Sequence, residues 1–561
     1  MEKIIETIKK YNIIEILIIT GSVILCAALF GTTSFQILSD RGREFILAQG
    51  ILEGNVPFKD IFLLYSPLAY YINAVFMLIF GSTIKSLLIA ATICSIIFAV
   101  TYYLLAKEFM EKSLSFWITL LVVFGCISGC SIFKYLFPYS YSMVYGITSS
   151  ILATYFLVKF LKNSNAKFAY ISGLFAGLAF AFKLEFLPIL LIFVGYIALN
   201  KSINLKSKIL SYFYAILMPV ITFLLPLIQG AKISDYIEYL NFFTRFSNTQ
   251  SMRSFYGDIG AIFNLTNIPL YQKGIFGLIT VLILVGITFV IFRKTNKKFI
   301  FPIMFCLIIY LMFTTMKPFN HSILLPFATL VLFIIKFKDI KNNPTELLIV
   351  VTAFALSIRC FFLMRMNLHG VYALPLMIIA LYILIEKFTT AKNLLTEQNK
   401  IFKFITCIYL TFFVIMNLLT SISCNSRLLA NKGTIYIPKE QTEILNKTID
   451  FINQNTQKSD KILFLPEGQI INFITDRKCD LKLHMLDRLY YEGLGEAKSL
   501  EILQNSNNDY IIIAKGFSLS DFSQPYLFTE NNKITQYISE NYRQIEFFGN
   551  KNHQIFIFKK Q

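Results

Sequence analysis

Residues 39–67 read SDRGREFILAQGILEGNVPFKDIFLLYSP and follow the first long apolar segment of the chain. Two aspartates, Asp40 and Asp60, lie in this short stretch together with arginines, glutamates and glycines. Ionisable groups beside a membrane-spanning segment are costly to bury and often belong to functional sites. The stretch therefore predicts a polar functional loop that follows a first transmembrane helix.

The composition of the whole chain indicates an integral membrane protein. Of its 561 residues, 56% are hydrophobic and 15% are charged, whereas soluble domains are about one quarter charged. Apolar runs recur until residue 421, and most approach the ~17–25 residues that cross a bilayer. The net charge of +19 comes from lysines and arginines in short loops between these runs. Such loops are typical of a cytoplasmic membrane face, so we expect a membrane lipid environment and no nucleic acid.

Placing the basic loops inside the cell fixes the topology. It predicts about thirteen spans in a cell (plasma or inner) membrane, with a cytoplasmic N-terminus and an extracytoplasmic C-terminus. The predicted spans are 13–31, 86–106, 114–131, 144–160, 168–182, 184–199, 209–229, 275–292, 299–315, 321–335, 345–362, 370–385 and 404–421. The apolar segment 67–81 is short, and a span there would invert every later basic loop. We interpret it as an interfacial helix on the outer side.

The chain divides into a transmembrane domain, 1–421, and a small extracytoplasmic α/β domain, 422–561. The first outer loop of the transmembrane domain is 32–85. In the second domain, residues 438–456 carry apolar side chains at helical spacing after a proline. The runs KILFLP, YIIIA, QIEFFG and QIFIF are typical of short strands. Helices that alternate with strands predict a compact α/β module.

This topology places most of the polar loops on one outer face. The candidate residues on that face are Asp40, Arg41, Glu44, Lys59, Asp60, Lys183, Glu185, Lys317, His321, Arg365 and His369. The common motifs of soluble enzymes, such as a phosphate-binding P-loop, are absent from the sequence. A site on this face would therefore be built from side chains of separate loops.

Each leading candidate has a structural and a functional interpretation. Asp40 either caps a helix or acts as a general base or metal ligand at the membrane surface. Asp60 follows Pro57 and is either a turn residue or a second functional carboxylate. Lys183 either forms an ion pair with Glu185 or neutralises a phosphate. His321 and His369 begin two similar segments, NHSILLPF and LHGVYALPL, and either bind loop backbone or line the outer site.

The first outer loop resembles that of GT-C glycosyltransferases that use polyprenyl-phosphate sugars, of the protein O-mannosyltransferase and aminoarabinose-transferase type. The resemblance lies in an aspartate, an AQGILEG run, the VPFKD element, a proline and an apolar helix that ends in FG. AGLAFAFKLEFLPILL is similar to a later family segment, and NFITDRK, YIIIAKG and ISENYRQIEFFG are similar to its extracytoplasmic domain. The chain departs from the common Asp-Glu pair, since Arg41 follows Asp40 and Glu44 lies near the usual tyrosine position.

The resemblance implies a GT-C fold and an inverting transfer of sugar from a polyprenyl-phosphate donor to a glycan, lipid or protein acceptor. It places Asp40 at the catalytic aspartate and Asp60 at the second acidic position. Donor-phosphate binding is then expected from Lys183, Lys317, His321, Arg41 and Lys59. A divalent cation, Mg²⁺ or Mn²⁺, is a possible cofactor, with Asp40 as its ligand. The alternatives are a cell-surface polysaccharide polymerase or ligase, and a flippase or transporter of lipid-linked sugar.

Overall fold

The computed structural model describes residues 12–129, 133–249, 279–280, 283–288, 290, 300–315, 325–362, 366–388, 392–517 and 532–561. Most of these residues are helical. The helices that precede the first strand are α1 (Ile13–Phe30), α2 (Arg41–Leu52), α3 (Leu68–Phe80), α4 (Ile84–Ala106), α5 (Lys112–Val122), α6 (Tyr141–Asn163), α7 (Ala166–Phe182), α8 (Leu187–Leu199), α9 (Leu205–Ile228), α10 (Ile233–Ser247), α11 (Ile300–Thr315), α12 (Leu325–Ile340), α13 (Pro344–Phe362), α14 (Met366–Glu386) and α15 (Lys392–Ser423).

Five of the described helices are long and apolar enough to cross a membrane. They are Ile13–Phe30, Ile84–Ala106, Tyr141–Asn163, Leu205–Ile228 and Thr396–Ser423. At 1.5 Å per residue, an 18-residue helix is about 27 Å long, close to the thickness of a bilayer's hydrocarbon core. Large apolar side chains on α1 and α9, among them Leu17, Leu25, Leu205 and Ile216, are exposed on these helices. The helical membrane fold is therefore confirmed, whereas the count of about thirteen spans and the orientation of the termini stay predictions.

Segment 67–81 forms the short helix α3, which has 13 residues. Its length of about 20 Å is less than the hydrocarbon thickness of a bilayer. Its buried face includes Tyr70 and Asn73, and it packs against α2, α4 and α6. The Asn73 side chain accepts a hydrogen bond from the Tyr145 hydroxyl at 2.8 Å. These dimensions fit the interpretation of 67–81 as a helix that does not span the membrane.

The predicted break between two short apolar helices lies at Lys183. Helix α7 ends at Phe182, a single 3₁₀ turn covers Leu184–Phe186, and α8 begins at Leu187. Pro188 occupies the first turn of α8, where its missing N–H costs no intrahelical hydrogen bond. The extended backbone of Lys183 therefore places its side chain at the end of two helices.

Residues 424–561 are here called the C-terminal region, and their described part combines strands with helices. The elements are β1 (Ser426–Leu428), β2 (Ile435–Ile437), α16 (Lys439–Asn455), β3 (Ile462–Leu465), α17 (Gln469–Thr475), α18 (Arg488–Leu494), α19 (Glu496–Gln504), β4 (Tyr510–Lys515), α20 (Lys533–Asn541), β5 (Tyr542–Gly549) and β6 (Gln554–Lys560). A four-stranded sheet has the order β3-β4-β6-β5, with β3 and β4 parallel and the other neighbours antiparallel.

The C-terminal region packs on residues 32–85, through helix α2, and also on helix α10. Leu463 and Leu465 of β3 share a core with Phe242 and Phe246 of α10. Helix α17 packs against α2, where the rings of Phe45 and Phe473 lie 4.9 Å apart. Because α2 follows Asp40 directly, this packing brings residues from both ends of the chain to one site.

Candidate active site around Asp40

Asp40 immediately precedes helix α2, but its side chain does not cap that helix. No hydrogen bond joins the Asp40 carboxylate to an amide of the first turn. The carboxylate instead accepts a hydrogen bond from Nη1 of Arg43 at 2.9 Å. The Asp40 side chain is 32% exposed, so its carboxylate is paired with Arg43 and is also accessible to a reactant.

The backbone of Asp40 has φ 43° and ψ −41°. A positive φ is uncommon for a residue with a side chain and has to be held by its surroundings. The Asp40 N–H donates a hydrogen bond to Oε2 of Glu467 at 2.9 Å, and the Asp40 carbonyl accepts one from the Arg43 N–H at 3.2 Å. Two residues thus fix the position of Asp40.

Arg43 is a buried cation that contacts both the carboxylate and an aromatic ring. Its side chain is 4% exposed, and its guanidinium carbon lies 5.0 Å from the ring centroid of Tyr65. Burial opposes the charge, but the neighbouring Asp40 carboxylate raises the pKa of Arg43. Its Nε–H lies 3.8 Å from Oε1 of Glu44, too far for a hydrogen bond, and no group among the described residues accepts it. The Nη1 and Nη2 groups of Arg43 thus contact Asp40 and Tyr139, while its Nε–H has no acceptor among the described residues.

Lys183 approaches the same two tyrosines from the end of α7. Its Nζ lies 4.3 Å from the ring centroid of Tyr65 and 3.2 Å from the hydroxyl of Tyr139. The Lys183 side chain is 5% exposed, and its Nζ lies 3.2 Å from Oε1 of Glu185. The ion pair with Glu185 is thus present.

The Arg43 guanidinium also points to Tyr139, with Nη2 3.4 Å from its carbonyl oxygen. Tyr65 and Tyr139 join Lys183 to Arg43 and, through it, to Asp40.

Arg41 and Glu44 are buried beneath this surface. Arg41 donates to the carbonyl oxygens of Phe137 at 2.8 Å and Gln36 at 3.2 Å, and to the Ser34 hydroxyl. Burial lowers the pKa of Arg41 to about 10.

Glu44 accepts hydrogen bonds from the Tyr141 N–H at 3.2 Å and the Tyr70 hydroxyl at 3.4 Å. Burial raises the pKa of Glu44 to about 7, although Arg43 acts in the opposite direction. These contacts hold the loop to α3 and α6.

Asp60 and Lys59 lie on an exposed turn. The Asp60 carboxylate accepts a hydrogen bond from the Val56 N–H at 2.9 Å, and the Asp60 N–H donates to the Val56 carbonyl at 2.9 Å. Both side chains are exposed. The turn interpretation of Asp60 therefore has direct geometric support, and its catalytic role stays a prediction.

Four predicted site residues cannot be placed among these contacts. Lys317, His321 and Arg365 lie outside the described residues. His369 lies in α14, in a part of that helix where the backbone alone is described. The roles of these four residues at the site remain predictions from the sequence.

Glu467 is a site residue that the sequence did not single out. It lies between β3 and α17, and its side chain is 9% exposed. Burial is the main cause that raises the pKa of Glu467 well above its ordinary value, and the negative charges of Asp40 and Asp487 act in the same direction. A polar residue just after a buried parallel strand is a recognised signal, since ligands of α/β sheets bind at the carboxyl ends of strands. Pairing Glu467 with Asp40, however, requires the docking of two distant segments.

The described residues do not form a metal site. Among them, no group of three or more histidine, cysteine, aspartate or glutamate side chains could hold a metal ion. The donor set around Asp40 also fits a cation poorly, because Arg43 already places a positive charge against the carboxylate. The described residues around Asp40 therefore do not fit a divalent cation.

Comparisons with known proteins agree with the resemblance seen in the sequence. Residues 65–226 match the family described as dolichyl-phosphate-mannose-protein mannosyltransferase. No curated protein sequence matches the chain. The family match runs from Tyr65 to Pro226 in α9 and thus includes Lys183.

Solved structures resemble the chain over almost its full length. The apo oligosaccharyltransferase of Archaeoglobus fulgidus is 11% identical, with a TM-score of 0.52, and the alignment covers 90% of this chain and 69% of that one. The same enzyme tethered to an acceptor peptide is 10% identical, with a TM-score of 0.51 and coverages of 99% and 74%. ArnT from Cupriavidus metallidurans, bound to undecaprenyl phosphate, is 10% identical, with a TM-score of 0.48 and coverages of 98% and 98%.

These likenesses confirm the GT-C fold and the resemblance to glycosyltransferases that use polyprenyl-phosphate-linked donors. The expectation of a glycosyltransferase is confirmed at the level of the class by the family match.

Proposed function

We propose that the protein is a membrane glycosyltransferase that moves a sugar from a polyprenyl-phosphate donor to an extracytoplasmic acceptor with inversion at the sugar. The observation that carries the proposal is the contact between the partly exposed Asp40 carboxylate and Arg43, which shares Tyr65 and Tyr139 with Lys183. Transfer from a phosphate leaving group requires a base for the acceptor proton and cations that stabilise the phosphate charge. Asp40 can supply the base, and Arg43 and Lys183 can supply the cations.

Asp40 is the proposed general base. Its carboxylate accepts the proton of the acceptor hydroxyl while the hydroxyl oxygen forms a bond to the anomeric carbon of the donor sugar. The bond between that carbon and the phosphate oxygen breaks, and the electron pair leaves with the polyprenyl phosphate. Attack from the face opposite the phosphate inverts the anomeric centre. A phosphate leaving group needs no strong general acid, so one carboxylate is enough for proton transfer.

Lys183 and Arg43 are the proposed partners of the donor phosphate. Hydrogen bonds between charged groups are the strong ones, and they gain further strength in a site with little water. Lys183 is already paired with Glu185, whose side chain is 24% exposed, so an incoming phosphate would compete with that carboxylate. Lys317, His321, Lys59 and Arg41 remain further candidates from the sequence.

The proposed orientation follows from the basic loops. The N-terminus is cytoplasmic, the site faces the outer side of the cell membrane, and the C-terminal region (424–561) belongs to an extracytoplasmic domain of residues 422–561. A donor with a long lipid tail suits this arrangement, because the tail remains in the bilayer while the phosphate and sugar reach Asp40. The acceptor is a hydroxyl group of a glycan, lipid or protein.

Transfer from a synthetic polyprenyl-phosphate sugar tests the proposal. The purified protein is expected to transfer or hydrolyse the sugar, and Asp40→Asn is expected to lower the rate about 10²–10⁴-fold. Asparagine tolerates positive φ, and its side-chain oxygen can still accept from Arg43, so the fold and donor binding should survive. Full activity of Asp40→Asn would remove Asp40 from the mechanism. A wild-type protein that moves intact lipid-linked sugar across vesicles without breaking it would favour a flippase.

A further inference from the structure

The C-terminal region reaches the backbone of the candidate base through the side chain of Glu467. Oε2 of Glu467 accepts a hydrogen bond from the backbone N–H of Asp40 at 2.9 Å, across 427 positions of sequence. The contact is made to the backbone of Asp40, while its carboxylate contacts Arg43. Glu467 thus acts on the placement of Asp40 and leaves the carboxylate accessible.

The segment that carries Glu467 is itself closely held. The Pro466 carbonyl accepts a hydrogen bond from the Leu486 N–H at 3.2 Å. A Cβ on Gly468 would lie 2.6 Å from the ring of Phe464, so this backbone packs directly on β3. A side chain on such a segment has little freedom to follow Asp40 if Asp40 moves. Its position is set by the sheet of the C-terminal region.

Asp40 needs support of this kind because of its backbone conformation. Its φ of 43° is disfavoured for a residue with a Cβ, at a cost that neighbouring contacts have to offset. Without an acceptor for its N–H, the residue would relax towards a more common conformation. The carboxylate would then move relative to Arg43 and to the acceptor hydroxyl, and small displacements of a catalytic group lower rates strongly.

We propose that Glu467 is a positioning residue that holds the Asp40 backbone in its reactive conformation. This inference rests on the proposed function, because it assigns Glu467 a role in the reaction of Asp40. It also implies that the site is complete only when the C-terminal region is docked on helix α2. An uncharged side chain with an oxygen in the same place should serve equally well, since the role requires a hydrogen-bond acceptor.

The test compares Glu467→Gln with Glu467→Met in the full-length protein, with a synthetic polyprenyl-phosphate sugar as donor. Glutamine keeps an acceptor oxygen, so its kcat and its pH–rate profile should match those of wild type within about threefold. Methionine keeps the volume but loses the acceptor, so kcat should fall about tenfold or more. The KM for the donor should change less than about twofold in both variants, because Arg43 and Lys183 are untouched.

Asn472→Leu is the matched control for stability. Asn472 is a buried polar residue of α17 whose side chain donates to the Ile462 carbonyl at 2.8 Å, within the C-terminal region. Its substitution should lower the melting temperature at least as much as Glu467→Met while kcat stays near wild type. A Glu467→Gln variant as slow as Glu467→Met would overturn the positioning role and assign a role to the carboxyl group of Glu467.

Two other outcomes separate this inference from the proposed function. If wild type transfers sugar and Glu467→Met does so equally well, the positioning role is wrong and the proposed function stands. If wild type neither transfers nor hydrolyses the sugar, the proposed function fails, and with it the role of Glu467 in that reaction. A control variant that loses as much kcat as Glu467→Met would reduce Glu467 to a structural residue.

Discussion

Gly42 packs directly against the backbone of Ile470, with no room for a side chain between them. A Cβ on Gly42 would overlap the Ile470 nitrogen and lie 2.6 Å from the carbonyl carbon of Gln469. This close approach, which the missing side chain of Gly42 permits, joins the first turn of α2 to the first turn of α17. Asp40 and Glu467 flank this contact on the two segments, two residues before Gly42 and three residues before Ile470.

Gly42→Ala is therefore expected to separate the C-terminal region from α2. Both neighbours are backbone atoms, so they can move aside only if the helices shift, and overpacking of this kind typically costs about 1–3 kcal/mol. We expect a lower melting temperature, faster proteolysis within residues 424–561 and a loss of transfer. Gly21→Ala in α1 is the control, since no atom lies within 4 Å of a Cβ there. Equal behaviour of the two variants would show that the contact at Gly42 is not needed.

Lys183→Met is expected to weaken donor binding about tenfold or more. Each charge-assisted contact to a phosphate contributes about 1.5–3 kcal/mol, and methionine fills a similar volume without the charge. Binding of a polyprenyl phosphate to the purified protein would measure this change. Glu185→Gln is the matched variant, because it removes the ion pair and leaves the ammonium in place. Wild-type affinity in Lys183→Met would reassign Lys183 to a purely structural pair with Glu185.

Glu44 should make the stability of the protein fall as the pH rises. Burial raises its pKa from 4.5 to about 7 in the folded protein. Between these values the folded state binds more protons than the unfolded state, so the stability that Glu44 contributes decreases with rising pH and levels off above about pH 7. Glu44→Gln should remove this decrease, which we measure as a smaller change of melting temperature between about pH 5 and about pH 7.

Glu53→Gln provides the comparison, since Glu53 directly follows helix α2. Burial acts to raise the pKa of Glu53, but the hydrogen bonds from Lys478 and Gln49 lower it overall. The stability that Glu53 contributes is therefore lost only as the pH falls towards its depressed pKa. Its substitution should shift the melting temperature by a similar amount at every pH in the measured window. A Glu44→Gln protein with the wild-type pH dependence would contradict the assignment to Glu44.

The predicted orientation can be tested with reporter fusions. A reporter placed after residue 430 should be active outside the cytoplasm, and one placed within 293–298 should be active inside it. The physical reason is the retention of Lys- and Arg-rich loops on the cytoplasmic face. The opposite activity at either position would separate the polar loops and remove the shared outer site.

The sequence predicted the helices better than the site. Apolar runs of bilayer length mark α1, α4 and α9 without ambiguity, because lipid imposes that length on any spanning helix. The break at Lys183 and the strands β3–β6 were also recognisable from local residue patterns. Each of these features depends on neighbours within a few residues.

The contacts of the site depend instead on segments far apart in the chain. The sequence identified Asp40 and Lys183 but assigned no role to Arg43, whose importance arises from its contacts with Tyr65 and Tyr139. Glu467 was missed for the same reason. Its neighbourhood in the sequence predicts only a turn after a strand, and nothing local connects it to Asp40.

The hydrogen bond between Asp40 and Glu467 also sets an order of events during synthesis. Asp40 is made before Glu467, which follows 427 positions later. The bond can form only after the ribosome has released residue 467 and the C-terminal region has docked on helix α2. A nascent or prematurely terminated chain therefore lacks the finished arrangement at Asp40, although its first membrane helices are already in place.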